Sequence, residues 1–198
     1  KEIDKGIEIQ CNDKDVPLDQ KNLVYKAWEK MTDITGENRG IHITIEKQIP
    51  VASGLAGGSS NAATVLKGLN KLWDLKLSQK ELMDIGLGIG ADVPFCIMGG
   101  TAYARGVGEK LIKLKPFSQK MVLLANPGIP ISTANVYNSL NLDSKKNNIN
   151  INQIIKFIEK GDLFNLAKNM SNTMEKVVIE KYPIIDEIKK GMIKCGAL

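Results

Sequence analysis

Hydrophobic and polar positions alternate with a period of two over Ile7-Glu8-Ile9-Gln10 and again over Ile41-His42-Ile43-Thr44-Ile45-Glu46, which predicts two strands. A polar turn around Asn12 to Asp15 separates the first of them from a helical pattern over Asn22 to Met31. Gly36 and Gly40 bracket the turn that leads into the second strand. Past Pro50 the pattern changes: the residues through Ser60 read PVASGLAGGSS, and then Ala62, Val65, Leu66, Leu69, Leu72 and Trp73 recur at helical spacing. The order is strand, glycine-rich loop, helix.

Ser78-Gln79-Lys80-Glu81 has the form of a capping box and opens a short helix carrying Leu82, Ile85 and Leu87, which ends among Gly86, Gly88 and Gly90. A tight element from Gly90 to Cys96 leads to strands expected over Thr101 to Arg105, Leu111 to Leu114 and Met121 to Ala125, then to a turn at Asn126-Pro127-Gly128. From Ser132 the periodicity is helical again. A polar loop over Asp143 to Asn150 interrupts it, and helices are expected over Ile151 to Ile158, Leu163 to Val178 and Pro183 to Met192. Runs of strands and runs of helices without regular βαβ alternation imply the α+β class. The boundary between two domains, 1–117 and 118–198, is expected near Pro116 to Lys120.

With 198 residues, 43% of them hydrophobic, each domain can bury a core, so disorder is excluded as the main state. No apolar run approaches the roughly 20 residues of a membrane helix, and no apolar segment follows the basic amino terminus, so the chain reads as soluble, cytoplasmic and without a membrane partner. The net charge of +5 is spread over short lysine groups. The few aromatic residues are not interleaved with them as a single-strand binding platform requires, so no nucleic-acid partner is expected. Such a field still attracts a polyphosphate. Cys11, Cys96 and Cys195 are far apart and His42 is the sole histidine, which argues against disulfides, zinc sites and His-assisted hydrolases. His42 itself falls on the strand face opposite three isoleucines, where an exposed residue is expected.

Two segments could carry chemistry. Gly54 to Ser60 places three glycines and two serines at a helix start, where unpaired N–H groups and the helix dipole favour an anion such as phosphate. A structural turn with a serine cap fits the same residues. The loop is neither a Walker A motif nor a GxGxxG fingerprint. Asp92, flanked by Gly90, Ala91, Val93, Pro94 and Phe95, is a lone charge in an apolar, tightly turning segment. It reads either as a turn or N-cap aspartate or as a reactive carboxylate. Glu109, in Gly106-Val107-Gly108-Glu109, is assigned to a hairpin turn with no chemical role.

PVASGLAGGSSNAA, from Pro50 to Ala63, resembles the glycine-rich ATP loop of the GHMP kinases, and Ile89-Gly90-Ala91-Asp92-Val93-Pro94-Phe95 resembles their second signature. Together with Asn22-Leu23-Val24, Gly68 to Trp73 and Gly99 to Glu109, these motifs are similar to the branch of that family acting on a cytidyl-linked methylerythritol. The likeness is dense from about Asn22 to Tyr137 and thin beyond.

The resemblance implies a GHMP kinase-like fold: an N-terminal domain like the second domain of ribosomal protein S5 and a C-terminal ferredoxin-like domain. It implies in-line transfer of the γ-phosphoryl group of ATP, with Mg²⁺, to the 2-hydroxyl of a diphosphocytidyl methylerythritol in non-mevalonate isoprenoid synthesis. Under it Pro50, Val51, Ala52, Ser53, Gly54, Leu55, Ala56, Gly57, Gly58, Ser59 and Ser60 hold the ATP phosphates, and Asp92 is the catalytic aspartate. Thr133 and Tyr137 fall on the cytidine side, where Tyr137 could stack on the base or be a core or rim residue. The resemblance leaves metal ligands and oligomeric state unassigned. The family's opening strand with a catalytic lysine and its closing third glycine motif have no counterpart between Lys1 and Leu198. Both domains are therefore expected to be incomplete, as in an internal fragment, with weak activity and an unpaired sheet edge. Another alcohol acceptor of the same superfamily (homoserine, mevalonate or a sugar) and a non-catalytic nucleotide-binding module are the alternatives.

Overall fold

A computed structural model describes residues 1–37, 39–51, 53–129, 131, 136, 138–140 and 149–198. The described chain divides into two compact units, Lys1–Lys113 and Leu114–Leu198.

In the first unit, three strands form one sheet in the order β1-β3-β2: β1 (Glu2–Ile3), β2 (Ile7–Cys11) and β3 (Gly40–Ile45). β3 runs parallel to β2, with Ile7 beside Ile41 and Cys11 beside Ile45, and antiparallel to β1, with Ile3 opposite Gly40. Parallel pairing needs a crossover, and α1 (Leu23–Thr35) supplies it. The alternation is realised as expected: Ile41 and Ile45 are buried, whereas His42 lies on the outer face with its Nδ1 3.2 Å from Glu8 Oε2 and its Nε2 3.3 Å from Thr44 Oγ1. β1 was not legible in the sequence, because two residues cannot show a period.

Four helices complete the layer over this sheet. α1 buries Val24, Ala27 and Met31, and α2 (Gly57–Leu72) buries Ala62, Ala63, Leu66 and Leu69, each at helical spacing. α3 (Gln79–Leu87) starts in the capping box read from the sequence: the Glu81 N–H donates to Ser78 Oγ at 3.3 Å and the Ser78 N–H donates to Glu81 Oε2 at 2.8 Å. The Ser78 hydroxyl, which donates to Glu81 Oε2 at 2.6 Å, and the Ser78 N–H together hold the Glu81 carboxyl below its ordinary pKa. α4 (Val93–Met98) forms where only a tight element was expected; Pro94 sits in its first turn and Val93, Pro94 and Ile97 are buried. Trp73, Leu82, Ile85, Val93 and Ile97 join Met31, Ile41 and the α2 residues in one core. A hairpin of β4 (Ala102–Arg105) and β5 (Lys110–Lys113) closes the unit.

Among the described residues of the second unit every regular element is a helix: α5 (Ile151–Lys160), α6 (Leu163–Asn169), α7 (Thr173–Lys181) and α8 (Ile184–Lys194). Two expectations change here. The helix expected from Leu163 to Val178 is two helices, because Met170 is extended and Asn172 caps a new start, its Oδ1 accepting the Met174 N–H at 3.0 Å. Met121 to Ala125 forms no strand; Met121, Val122, Leu123 and Leu124 are all more than half exposed, with no described strand beside them to complete a ladder. No helix is long and apolar enough to cross a membrane among the described residues.

Candidate active site

The segment after β3 determines the site. β3 ends at Ile45, Gly54 takes a left-handed φ of 73° and Ala56 one of 52°, so the chain turns sharply into α2. α1 and α3 receive side-chain caps from Asn22 and Ser78, but α2 receives none and has no acidic residue in its first turn. Its first bond inside the turn runs from the Ser60 N–H to Ala56 O at 2.9 Å. Among the described residues nothing accepts from the N–H groups of Gly57, Gly58 and Ser59. Three donors at the positive end of a sixteen-residue helix form an anion cradle. The serine-cap alternative is not realised, since the Ser60 hydroxyl donates to Gly57 O at 2.9 Å.

The cradle opens onto a cleft of about 310 Å³. One wall is the loop itself: Pro50, Val51, Ser53, Gly54, Leu55, Ala56, Gly57 and Gly58 all face it, whereas Ser59 and Ser60 do not. The opposite wall holds Val16, Pro17, Lys21, Asn22 and Leu23, with Ile45, Lys47 and Asn61 completing the lining. Asn22 ties that wall together: its Nδ2 donates to Pro17 O at 2.7 Å while its Oδ1 accepts the Val24 N–H at 2.9 Å. Among the described residues two lysines and no carboxylate line this cleft, while Glu46 lines an adjoining pocket that shares Lys47, Gly57 and Asn61 with it.

Asp92 takes the N-cap position of α4, but its side chain makes no capping bond and is exposed. Burial of Val93, Pro94 and Ile97 fixes the backbone that carries it. The β4–β5 turn lies beside it, for a Cβ on Gly108 would stand 3.3 Å from Ala91 O. One turn on, burial and the nearby Asp92 charge push the Cys96 thiol up, only partly offset by Lys67, which makes it a poor nucleophile. Glu109 folds back on its own turn, accepting the Val107 N–H at 2.7 Å, and those backbone bonds hold its carboxyl below the ordinary range. Ala52, Thr133 and Tyr137 lie outside the described residues. Sequence reasoning did not single out Lys47, Lys21 or the Val16–Pro17 wall; counting back from the glycine loop to the end of β3 would have pointed to Lys47.

Residues 22–100 match the description "GHMP kinases N terminal domain". A 4-diphosphocytidyl-2-C-methyl-D-erythritol kinase of Clostridium botulinum (strain Eklund 17B / Type B) is 45% identical over 196 residues, 99% of this chain and 70% of that one. The chain belongs to the GHMP kinases. Within that family a second relative of the same name, from Alkaliphilus oremlandii (strain OhILAs), is 46% identical over 197 residues, 99% of this chain and 68% of its own. A crystal structure of 4-(cytidine 5'-diphospho)-2C-methyl-D-erythritol kinase matches with a TM-score of 0.75 at 28% identity, covering 99% of this chain and 68% of that one. A homoserine kinase from Cytophaga hutchinsonii, at 22% identity and a TM-score of 0.78, shares the fold. The protein is accordingly a small-molecule kinase of mixed α/β architecture.

Proposed function

We propose that this GHMP kinase transfers the γ-phosphoryl group of ATP to the 2-hydroxyl of 4-diphosphocytidyl-2-C-methyl-D-erythritol. The observation that carries the reading is the 45% identity, over almost the whole chain, to proteins named for that activity. The uncapped start of α2 supports it, because the donors there suit a polyphosphate and find no acceptor among the described residues.

ATP supplies the phosphoryl group. The chain's own part is positioning and charge stabilisation, since phosphoryl transfer asks little covalent chemistry of a protein. The N–H groups of Gly57 and Gly58, which line the cleft, hold the phosphates together with the rest of the loop from Pro50 to Ser60. The carboxylate of Asp92 accepts the proton of the attacking hydroxyl, late in the step, because a carboxylate is too weak a base to deprotonate a free alcohol beforehand. Thr133 and Tyr137 belong to the cytidine side of this reading. Magnesium bound with the nucleotide would neutralise charge on the phosphates, and its protein ligands are unassigned.

Assay of the full-length protein with ATP against the cytidyl substrate, homoserine and mevalonate tests the proposal. The cytidyl substrate should give the highest kcat/KM; preference for homoserine or mevalonate would overturn the choice of acceptor.

A further inference from the structure

The backbone that carries Asp92 is held from two sides. On one side α3 packs against α4 at the buried Gly86, where a Cβ would stand 2.8 Å from Val93 Cγ1 and 2.9 Å from Ile97 Cδ1, closer than packed carbons come. The Gly86 carbonyl also accepts the N–H groups of Ile89 at 3.0 Å and Gly90 at 3.1 Å, which folds the α3–α4 connection back onto the same residue. Sliding of α4 along its axis is opposed by Gln79, whose Nε2 donates to Ile97 O at 3.3 Å. Val93, the residue after Asp92, therefore has a fixed seat.

On the other side the β4–β5 turn meets Ala91, the residue before Asp92. Gly108 has a φ of 113°, and a Cβ on it would stand 3.3 Å from Ala91 O, so only glycine lets the turn come this close. Glu109 gives the turn its shape. Its carboxylate accepts the Val107 N–H at 2.7 Å and fills the space a Cβ on Gly106 would take, while the Gly108 N–H donates to Arg105 O at 3.2 Å. Asp92 makes no capping bond of its own, so the direction of its side chain is set through these two neighbours. We propose that Glu109 is a positioning residue for Asp92, holding the β4–β5 turn against Ala91 so that the carboxylate keeps its aim. This role rests on the reading of Asp92 as the group that accepts the proton of the attacking hydroxyl, and it adds the side chain that keeps that group in line.

Steady-state kinetics of the full-length protein tests it, with ATP and whichever of the cytidyl substrate, homoserine and mevalonate gives the highest kcat/KM. Asp92→Asn should lose about 10²-fold or more in kcat; if it does not, the reading of Asp92 fails and the role of Glu109 with it. A misplacement of about 1 Å can cost an aligned reaction up to about 10²-fold, so Glu109→Ala should lower kcat about tenfold while the KM for ATP stays within about twofold. Glu109→Gln, whose amide oxygen can still accept the Val107 N–H, should recover most of that loss. In the Asp92→Asn background Glu109→Ala should cost less than about twofold more, since a residue acting through Asp92 has nothing left to aim. A kcat within about twofold of wild type in Glu109→Ala would overturn the proposal, as would the same fractional loss in both backgrounds. A thermal melt of each variant closes the remaining route: a loss of kcat no larger than the unfolded fraction at the assay temperature would reduce Glu109 to a turn brace and overturn its positioning role.

Discussion

Asp92 shows what a single side chain loses when the backbone does not use it. A capping aspartate would accept an N–H of its own helix, yet this one stays exposed at the start of α4 with no capping bond, while its neighbours Val93 and Pro94 are buried. Its carboxylate is therefore left free by its own helix, and its main chain is fixed. Asp92→Asn keeps size and shape but removes the charge, so kcat should fall by about 10²–10⁴ with the KM for ATP and the melting temperature little changed. Steady-state kinetics beside a thermal melt checks this; near-normal kcat would return Asp92 to an ordinary turn residue. The identity of Asp92 as an unusual charge was legible in the sequence from its apolar neighbours. The place of Lys47 on the cleft wall was not, because lysine is common on surfaces and its position follows from a strand pairing 35 residues away.

At the level of elements, helix starts divide into those a side chain caps, such as α1 and α3, and those without a side-chain cap, α2, α4 and α8. Asn22 does two jobs, capping α1 and holding Pro17, and it is nearly buried at 8% exposure. Asn22→Ala should cost about 1–2 kcal/mol, the sum of a lost cap and a carbonyl left without its donor. Denaturant unfolding measures that loss, and a change below a few tenths of a kcal/mol would contradict the capping role. Elements with long periodic runs were legible: α1, α2, the box that opens α3, and the alternation of β2 and β3. The misses share a physical cause. Leu163 to Val178 keeps an apolar period straight through its break, where Met170 is extended and Asn172 caps a new helix. The apolar run at Met121 to Leu124 has strand composition, but strand formation also needs a paired neighbour.

Across the whole molecule, burial is uneven. Apart from Val136, every buried hydrophobic residue described belongs to the first unit, and α5 to α8 bury none completely. Amide exchange should therefore be slowest along α2, at Leu66 and Leu69, and faster by orders of magnitude in α5 to α8. Equal protection of the two sets, read by exchange mass spectrometry, would contradict that ordering. The slow helix is also the one whose first turn offers its donors to the cleft, and its middle is the centre of the core. A guest gripping that turn consequently holds the whole unit shut, since α2 cannot unravel without releasing it. At a hundred times its Kd such a guest adds about 2.7 kcal/mol to the folded state. Resistance to proteases would then track nucleotide supply, and a cell short of ATP would clear this chain sooner than one that is well fed.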